Sequence, residues 1–248
     1  MAEDAKPKIA TVTPGKVLVI VAHADDIEFG AAGSIARWTD EGAQVVYCIV
    51  TDGGAGSNEP GIDLAELVRS RQAEQCEAAE IAGVHDVRFL GYADGSLQPT
   101  MELRRDLTRV IREVKPDRVI IQDPTTVLVE NTYINHPDHR AAGEAALYAV
   151  FPSSETRPIF PELLAEGHEP HHVKDLYLTL TTKPDTYVDV TKTMDRKVKA
   201  LLAHRSQVGP DVEKMLREWD SEDGKKIDCQ YAESFRVMVL HPDPPAEE

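Results

Sequence analysis

The sequence predicts an α/β protein built on a mostly parallel sheet with helices covering it. Apolar runs of strand length alternate with stretches of helical periodicity along most of the 248 residues, the pattern of a parallel sheet with crossover helices. The run Val17-Leu18-Val19-Ile20-Val21 has no polar break, which suits a strand buried on both faces. That run ends at His23-Ala24-Asp25-Asp26, and in open α/β sheets the carboxyl ends of strands are where ligands and chemistry sit.

In chain order, a helix is expected from about Asp25 through Phe29–Trp38, followed by a second strand over 43–51. The strand empties into Asp52-Gly53-Gly54-Ala55-Gly56 and a loop running to Gly61. A long amphipathic helix covers 64–82, with Gly83 suited to a left-handed cap. A short strand at 87–90, a loop over 91–97, and a helix over 101–115 stopped by Pro116 come next. Residues 117–122 form a fourth strand, and about fifteen loop residues separate it from a helix opened by His136-Pro137. Residues 152–172, rich in proline and charge, read as a surface wrap or a lid. Strands at 176–181, 187–190 and 235–240, with helices near 193–205 and 210–219, continue the same unit. The expectation is one domain over 14–240 with polar tails at 1–13 and 241–248.

A net charge of −16, from 27 basic and 43 acidic residues, repels phosphate backbones and anionic lipid and argues against nucleic-acid and membrane-surface partners. No apolar run reaches the ~18 residues of a membrane span, and the N-terminus lacks the charged and apolar regions of a secretory signal. Cys48, Cys76 and Cys229 are odd in number and scattered. With Cys48 in an apolar strand and Cys76 in a helix, they read as buried free thiols in a cytoplasmic protein.

Two short motifs carry chemistry. His23 and Asp26 stand i, i+3 at the end of the first strand, and His136 and His139 stand three apart at the start of a later helix. Taken singly, each has an ordinary explanation: Asp25, Asp26 and Glu28 favour a helix N-terminus through the macrodipole, and histidines at a helix start are common surface residues. Taken together, His23, Asp26 and one histidine of the 136/139 pair make the open three-ligand set of a hydrolytic zinc. Zinc lowers the pKa of its water toward ~7. Asp25, the spare carboxylate, would take that water's proton as general base, and the remaining histidine would stabilise an oxyanion or protonate a leaving amine.

With these motifs the chain resembles the LmbE-like (PIG-L) family of zinc-dependent N-deacetylases. Further matches are Thr51-Asp52-Gly53, Arg71 with Glu74 ahead of Ala82-Gly83-Val84, Leu90-Gly91-Tyr92-Ala93-Asp94-Gly95, Ala203-His204-Arg205-Ser206-Gln207 and Tyr231-Ala232-Glu233-Ser234-Phe235. The resemblance implies a Rossmann-like fold with additional C-terminal strands and helices. It also implies one zinc per chain, or another divalent ion such as Fe2+, and removal of an acyl group, often acetyl, from an N-acylated amino sugar or its conjugate. His23, Asp26 and His139 become metal ligands, Asp25 the base, His136 the acid or electrostatic partner and Arg71 a contact to a substrate hydroxyl. The resemblance leans toward a homo-oligomer.

Three positions depart from the family pattern: Ala24 replaces a proline, Gly54 a frequent glutamate, and Ile134 a tyrosine found two residues before the second motif in some members. The tyrosine's role is not carried to Tyr133; Asn135 is expected to line the pocket. Asp138 reads as a first-turn helix charge in preference to a carboxylate behind a ligand histidine. Two other functions compete. One is a non-catalytic nucleotide or sugar-phosphate binding module using the Gly53–Gly56 loop, although no phosphate-loop lysine is present. The other is a phosphoesterase, which wants a second metal and more carboxylates.

Overall fold

A computed structural model describes residues 6–242; positions 1–5 and 243–248 of the expected tails lie outside the described residues. The elements are β1 (Lys8–Ile9), β2 (Lys16–Val21), α1 (Asp26–Gly30), α2 (Ala32–Asp40), β3 (Gln44–Thr51), α3 (Leu64–Ala82), β4 (Asp86–Tyr92), α4 (Met101–Val114), β5 (Arg118–Gln122), β6 (Leu128–Val129), β7 (Tyr133–Ile134) and α5 (Pro137–Tyr148). One π-helical turn (Ala149–Ser153) follows, then α6 (Pro161–Ala165), β8 (Asp175–Thr179), β9 (Thr186–Asp189), α7 (Met194–Leu201), α8 (Val212–Gly224) and β10 (Ala232–Val239).

The expected α/β class is what the chain forms. An eight-stranded sheet runs β1-β9-β10-β8-β5-β2-β3-β4. Strands β8, β5, β2, β3 and β4 are mutually parallel, and β10 runs antiparallel to both β8 and β9. Alternate residues of β2 feed two cores. Val17, Val19 and Val21 pack with Ile27, Ile35, Trp38, Ala79 and Ala82 on one face; Leu18 and Ile20 pack with Leu103, Leu107, Ile111, Ala142 and Ala146 on the other. Burying each large aliphatic side chain contributes roughly 1.5–3 kcal/mol, so the strand is fixed from both sides. The chain proceeds from β2 outward to β3 and β4, then returns to place β5 on the other flank of β2. That makes the β2–β5 boundary the switch point at which doubly wound sheets open a crevice.

Local chemistry sets the ends of the covering helices. Asp63 caps α3 by accepting from the Ala65 and Glu66 amides, and Gly83 closes it at φ 86°. Thr100 caps α4, and Lys115 in the left-handed region ends it ahead of Pro116. The helix expected to run unbroken into 29–38 is interrupted at Ala31. Close packing accompanies the break: a Cβ on Gly30 would lie 2.4 Å from Thr179 Oγ1, and one on Gly33 2.9 Å from the Val190 Cβ.

Several expectations change. Lys8–Ile9, placed in a polar tail, pairs in parallel with Thr186–Tyr187 as an edge strand. The long loop after β5 contains the β6–β7 hairpin. Of the two readings of residues 152–172, the surface wrap is the one that holds, over α4: Arg112 Nη2 donates to Ser153 O at 2.7 Å, Arg109 pairs with Glu166 at 2.9 Å, and the His171 ring lies 2.7 Å from Pro116 O. Of the three free cysteines only Cys48 is buried; Cys76 is exposed and Cys229 half-buried, because Cys76 falls off the stripe of α3 that meets the sheet. Among the described residues no helix is long and apolar enough to cross a membrane.

Candidate metal centre

The chain beyond β2 is held by both neighbouring strands. The Ala22 amide donates to Gln122 Oε1 at the end of β5, and Ala22 O accepts from the amide and hydroxyl of Thr51 at the end of β3, each at 2.9 Å. His23 therefore leaves the sheet from a fixed point. Asp25 then turns through φ 94°, a left-handed conformation that Asp tolerates better than most residues but that still costs on the order of 1 kcal/mol. The turn lets Asp26 reach back, so that its Oδ2 accepts from the His23 amide at 2.7 Å. Across the switch point, His136 caps α5 through Nδ1, which accepts from the Asp138 amide at 3.2 Å; Pro137 opens the helix, and His139 lies in its first turn.

His23 and His139, 116 positions apart, meet. His139 Nε2 lies 3.2 Å from His23 Nδ1 and 3.0 Å from Asp26 Oδ1, and His23 Nδ1 lies 3.4 Å from Asp26 Oδ2. Ligand atoms at the ~2.0–2.1 Å of zinc bonds in a tetrahedron stand ~3.3–3.4 Å apart; the two nitrogens stand close to that spacing, and Asp26 turns a different oxygen to each of them. His136 is adjacent, with ring centroids 4.7 Å from His23 and 5.4 Å from His139, and the donor atoms of the three imidazoles also lie within 4.8 Å of one another.

The second ring nitrogen of both His23 and His139 is occupied. His23 Nε2 faces Asp94 Oδ1 at 3.0 Å and Asp138 Oδ2 at 3.4 Å; His139 Nδ1 faces Asn135 Oδ1 at 3.0 Å. Partners of this kind fix ring orientation and tautomer in metal sites. Asp138 thus corrects its reading as a first-turn charge: its side chain is wholly buried and also accepts from the Gly95 and Leu97 amides at 2.7 and 3.1 Å. Asn135 lines the cavity as expected, but its amide is committed to His139 and to Thr126 O.

Arg71 is buried beneath the site. Its guanidinium donates to Ala24 O at 2.9 Å and Gly53 O at 3.1 Å and stands 3.7 Å from both Asp25 and Asp94. The glycine-rich loop is shaped around it: a Cβ at Gly56 would sit 2.4 Å from Arg71 Nη1. The loop amides are satisfied internally, Gly54 by Asp52, Ala55 by Asp94 and Gly56 by Gly53 O. A phosphate would meet two carboxylates there, already holding the Gly54 and Ala55 amides.

The electrostatics favour a cation. Burial works against a charge on His23, but Asp26, Asp138 and Asp94 outweigh it and hold the imidazolium up to about 12. A bound cation would take over from that proton, since metal binding displaces protons from its ligands. Burial opposes ionisation of Asp26 too, yet His139 and His23 keep its carboxyl far below the usual range. Asp25 is different: burial first, and then the charge of Asp26, push it up to about 7 against the pull of Arg71. Burial and the neighbouring His23 lower His136.

Behind Asp25 lies a buried chain that the sequence reading did not assign. The Asp25 amide donates to Gln75 Oε1, Gln75 Nε2 donates to Glu28 Oε1, and Glu28 Oε2 meets His204 Nε2, each at 3.1 Å. Glu28, read as a first-turn acid favoured by the helix dipole, is fully buried, as are Gln75 and His204. The signal was present in α3, whose buried stripe Leu67, Arg71, Gln75, Ala78, Ala82 sets two polar residues in an apolar register. Asp94, quoted only as part of a matching stretch, is the other residue missed.

The site opens into a cavity of about 990 Å³. Phe29, Leu180, Met215 and Trp219 line one part of it, and Val129 and Tyr133 of the β6–β7 hairpin another. Fold and site together define a class: a doubly covered α/β protein with a candidate metal centre at its switch point.

The comparisons make the class specific. The PIG-L family model, described as GlcNAc-PI de-N-acetylase, matches residues 18–150, and the chain belongs to that family. Diacetylchitobiose deacetylase of Thermococcus kodakarensis is 35% identical over 231 residues, covering 90% of this chain and 83% of that protein. A probable N-acetyl-α-D-glucosaminyl L-malate deacetylase 2 of Bacillus anthracis is 31% identical over 232 residues, 89% of this chain and 94% of that one. The structure of N,N′-diacetylchitobiose deacetylase from Pyrococcus horikoshii, in complex with its inhibitor MPG, aligns with a TM-score of 0.84 at 35% identity, over 91% of this chain and 84% of that one.

Proposed function

We propose that this protein is a zinc-dependent N-deacetylase that removes an acetyl group from an N-acetylated amino sugar or its conjugate. The observation that carries the reading is the meeting of His23 Nδ1 and His139 Nε2 at 3.2 Å over the Asp26 carboxylate, whose Oδ2 lies 3.4 Å from the first and Oδ1 3.0 Å from the second, beside an Asp25 carboxylate outside that group. His23, Asp26 and His139 would hold the ion. When bound, it supplies Lewis acidity toward the amide carbonyl and a water acidic enough to act near neutral pH.

The remaining work falls to the chain itself. Asp25, raised toward neutrality, accepts the proton of the attacking water, and its strained backbone and Gln75 contact hold it in place. His136, at the cavity wall, stabilises the oxyanion or delivers a proton to the leaving amine. Arg71 fixes Ala24 O and the Gly53 loop; its proposed contact to a sugar hydroxyl comes from the cavity side. Phe29, Trp219 and Tyr133 offer ring faces for the apolar face of a pyranose. The concentration of Asp25, Asp26, Asp94 and Asp138 favours a neutral substrate over a phosphorylated one.

The names of the relatives support acetylated glucosamine units as substrates. The binding-module alternative loses support, because the Gly54, Ala55 and Gly56 amides are already paired. Purified protein analysed for metal and then incubated with N-acetylglucosamine, its chitobiose and its malate and thiol conjugates tests the proposal. Chelator-sensitive acetate release with one zinc lost on His23→Ala is expected. Absence of acetate from every compound, with zinc loaded, would remove the reading.

A further inference from the structure

A second group of metal-ligating side chains lies away from this site. Glu155 follows the π-helical turn, His172 precedes β8, and His241 follows β10. Strand β8 runs parallel to β2, so its beginning lies at the opposite end of the strands from the one that carries His23. Glu155 holds its carboxylate against both imidazoles, Oε2 at 3.4 Å from His172 Nδ1 and Oε1 at 2.6 Å from His241 Nε2. The two rings meet edge to face with centroids 4.8 Å apart, and one donor atom from each of the three residues falls within a 4.8 Å group.

The three side chains stand on backbone that is already tied together. The amides of Leu240 and His241 both donate to Lys174 O, at 2.8 and 3.0 Å, and the His171 amide donates to Ser154 O at 2.8 Å. Each ligand therefore sits on, or one or two residues from, an anchored position. The Glu155 side chain is only 10% exposed, and among the described residues its ion-pair partners are imidazoles, not ammonium or guanidinium groups. The imidazoles are exposed on its outer side, so an ion can enter without opening the fold.

We infer that Glu155, His172 and His241 form a second binding site for a divalent transition ion. Two imidazoles and one carboxylate select borderline ions such as Zn2+, Ni2+ or Cu2+ over Mg2+ and Ca2+, which prefer all-oxygen sets. Three protein ligands leave further positions to water, so the ion is exchangeable. It joins three segments distant in sequence: the chain leaving α5, the entry to β8 and the exit from β10. Its effect is on the stability of this edge and not on the substrate.

Zinc titration of the full chain, stripped of metal, tests this by calorimetry and by metal content after desalting. The wild type is expected to take two ions per chain, the double variant His172→Ala/His241→Ala one, and His23→Ala one. Zinc should raise the melting temperature of His23→Ala, and Mg2+ should not. The double variant should release acetate as the wild type does. If the proposed catalytic centre holds no ion, the wild type takes one, which the double variant loses; failure of that reading is thus distinct from failure of this one. A double variant that binds as many zinc ions as the wild type, or a His23→Ala protein that binds none, overturns the inference. Glu155→Gln, which keeps side-chain volume, gives the same loss without removing either ring.

Discussion

Asp138→Asn isolates what a buried carboxylate does for a ligand histidine. The native carboxylate accepts the Gly95 and Leu97 amides at 2.7 and 3.1 Å and faces His23 Nε2 at 3.4 Å. Asparagine retains one acceptor oxygen. If that oxygen keeps Gly95 and His23, its NH2 group is turned onto the Leu97 amide, donor against donor. Leaving a buried donor unpaired costs ~1–3 kcal/mol, and loss of a carboxylate behind a metal-bound imidazole typically weakens metal affinity 10–100-fold. Asp94, 3.0 Å from the same nitrogen, remains in place, so we expect the lower end for the single variant, ~10-fold. The pair Asp94→Asn/Asp138→Asn should approach ~100-fold. Zinc affinity measured by competition with a chromophoric chelator reads this directly, with circular dichroism as a check on folding. A well-folded Asp138→Asn protein within twofold of wild-type affinity would refute the argument that this carboxylate orients His23.

Four further outcomes follow from the geometry. Asp25→Asn should lower kcat by ~10²–10⁴, the range for a lost general base, with zinc content unchanged; a variant keeping more than about a tenth of wild-type activity would exclude Asp25 as the base. Because Asp25 works only when deprotonated, kcat/KM of the wild type should fall as pH drops through its pKa. That limb should lie at or below the value of about 7 set by burial and Asp26, since a bound cation draws it down; a flat acid side in the pH–rate profile would contradict this. Gly56→Ala, whose Cβ would stand 2.4 Å from Arg71 Nη1, should displace the guanidinium and cut kcat/KM by ~10–100-fold, and full activity would show the loop to be free to move aside. Lys197→Met strands Asp220 and Glu233, which the fully buried ammonium contacts at 2.7 and 2.8 Å, and should cost ~3–5 kcal/mol in urea unfolding; a loss below ~1 kcal/mol would mean that the two acids find other partners.

What could be read from the sequence was what rests on period and local spacing. The unbroken run 17–21 gave a central strand, and the stops at Gly83 and Pro116 and the start at Pro137 gave helices close to their true bounds. The convergence of His23 with His139 was legible because both motifs follow neighbouring parallel strands. Contacts made through burial of polar groups were not legible. Glu28 and Asp138 look like first-turn acids when only their helices are considered; their burial depends on His204 and on the Gly95–Leu97 loop, which arrive from far along the chain. Cys76 was misjudged because α3 buries the stripe of Leu67, Arg71, Gln75, Ala78 and Ala82, so a thiol on another face stays exposed. Residues 152–172 carry lid-like composition, and only the Arg109 and Arg112 contacts reveal which surface they cover.

The β6–β7 hairpin and α8 supply much of the cavity wall, whereas His23 and Asp26 follow a central strand and His139 opens the helix after its neighbour. Under the proposed function, recognition and reaction therefore fall on separable parts of the molecule. Lengthening that hairpin, or exchanging the outer turns of α8, would remodel which aglycone is admitted while leaving the reacting centre untouched, which gives such a scaffold room to diversify in specificity without relearning its chemistry.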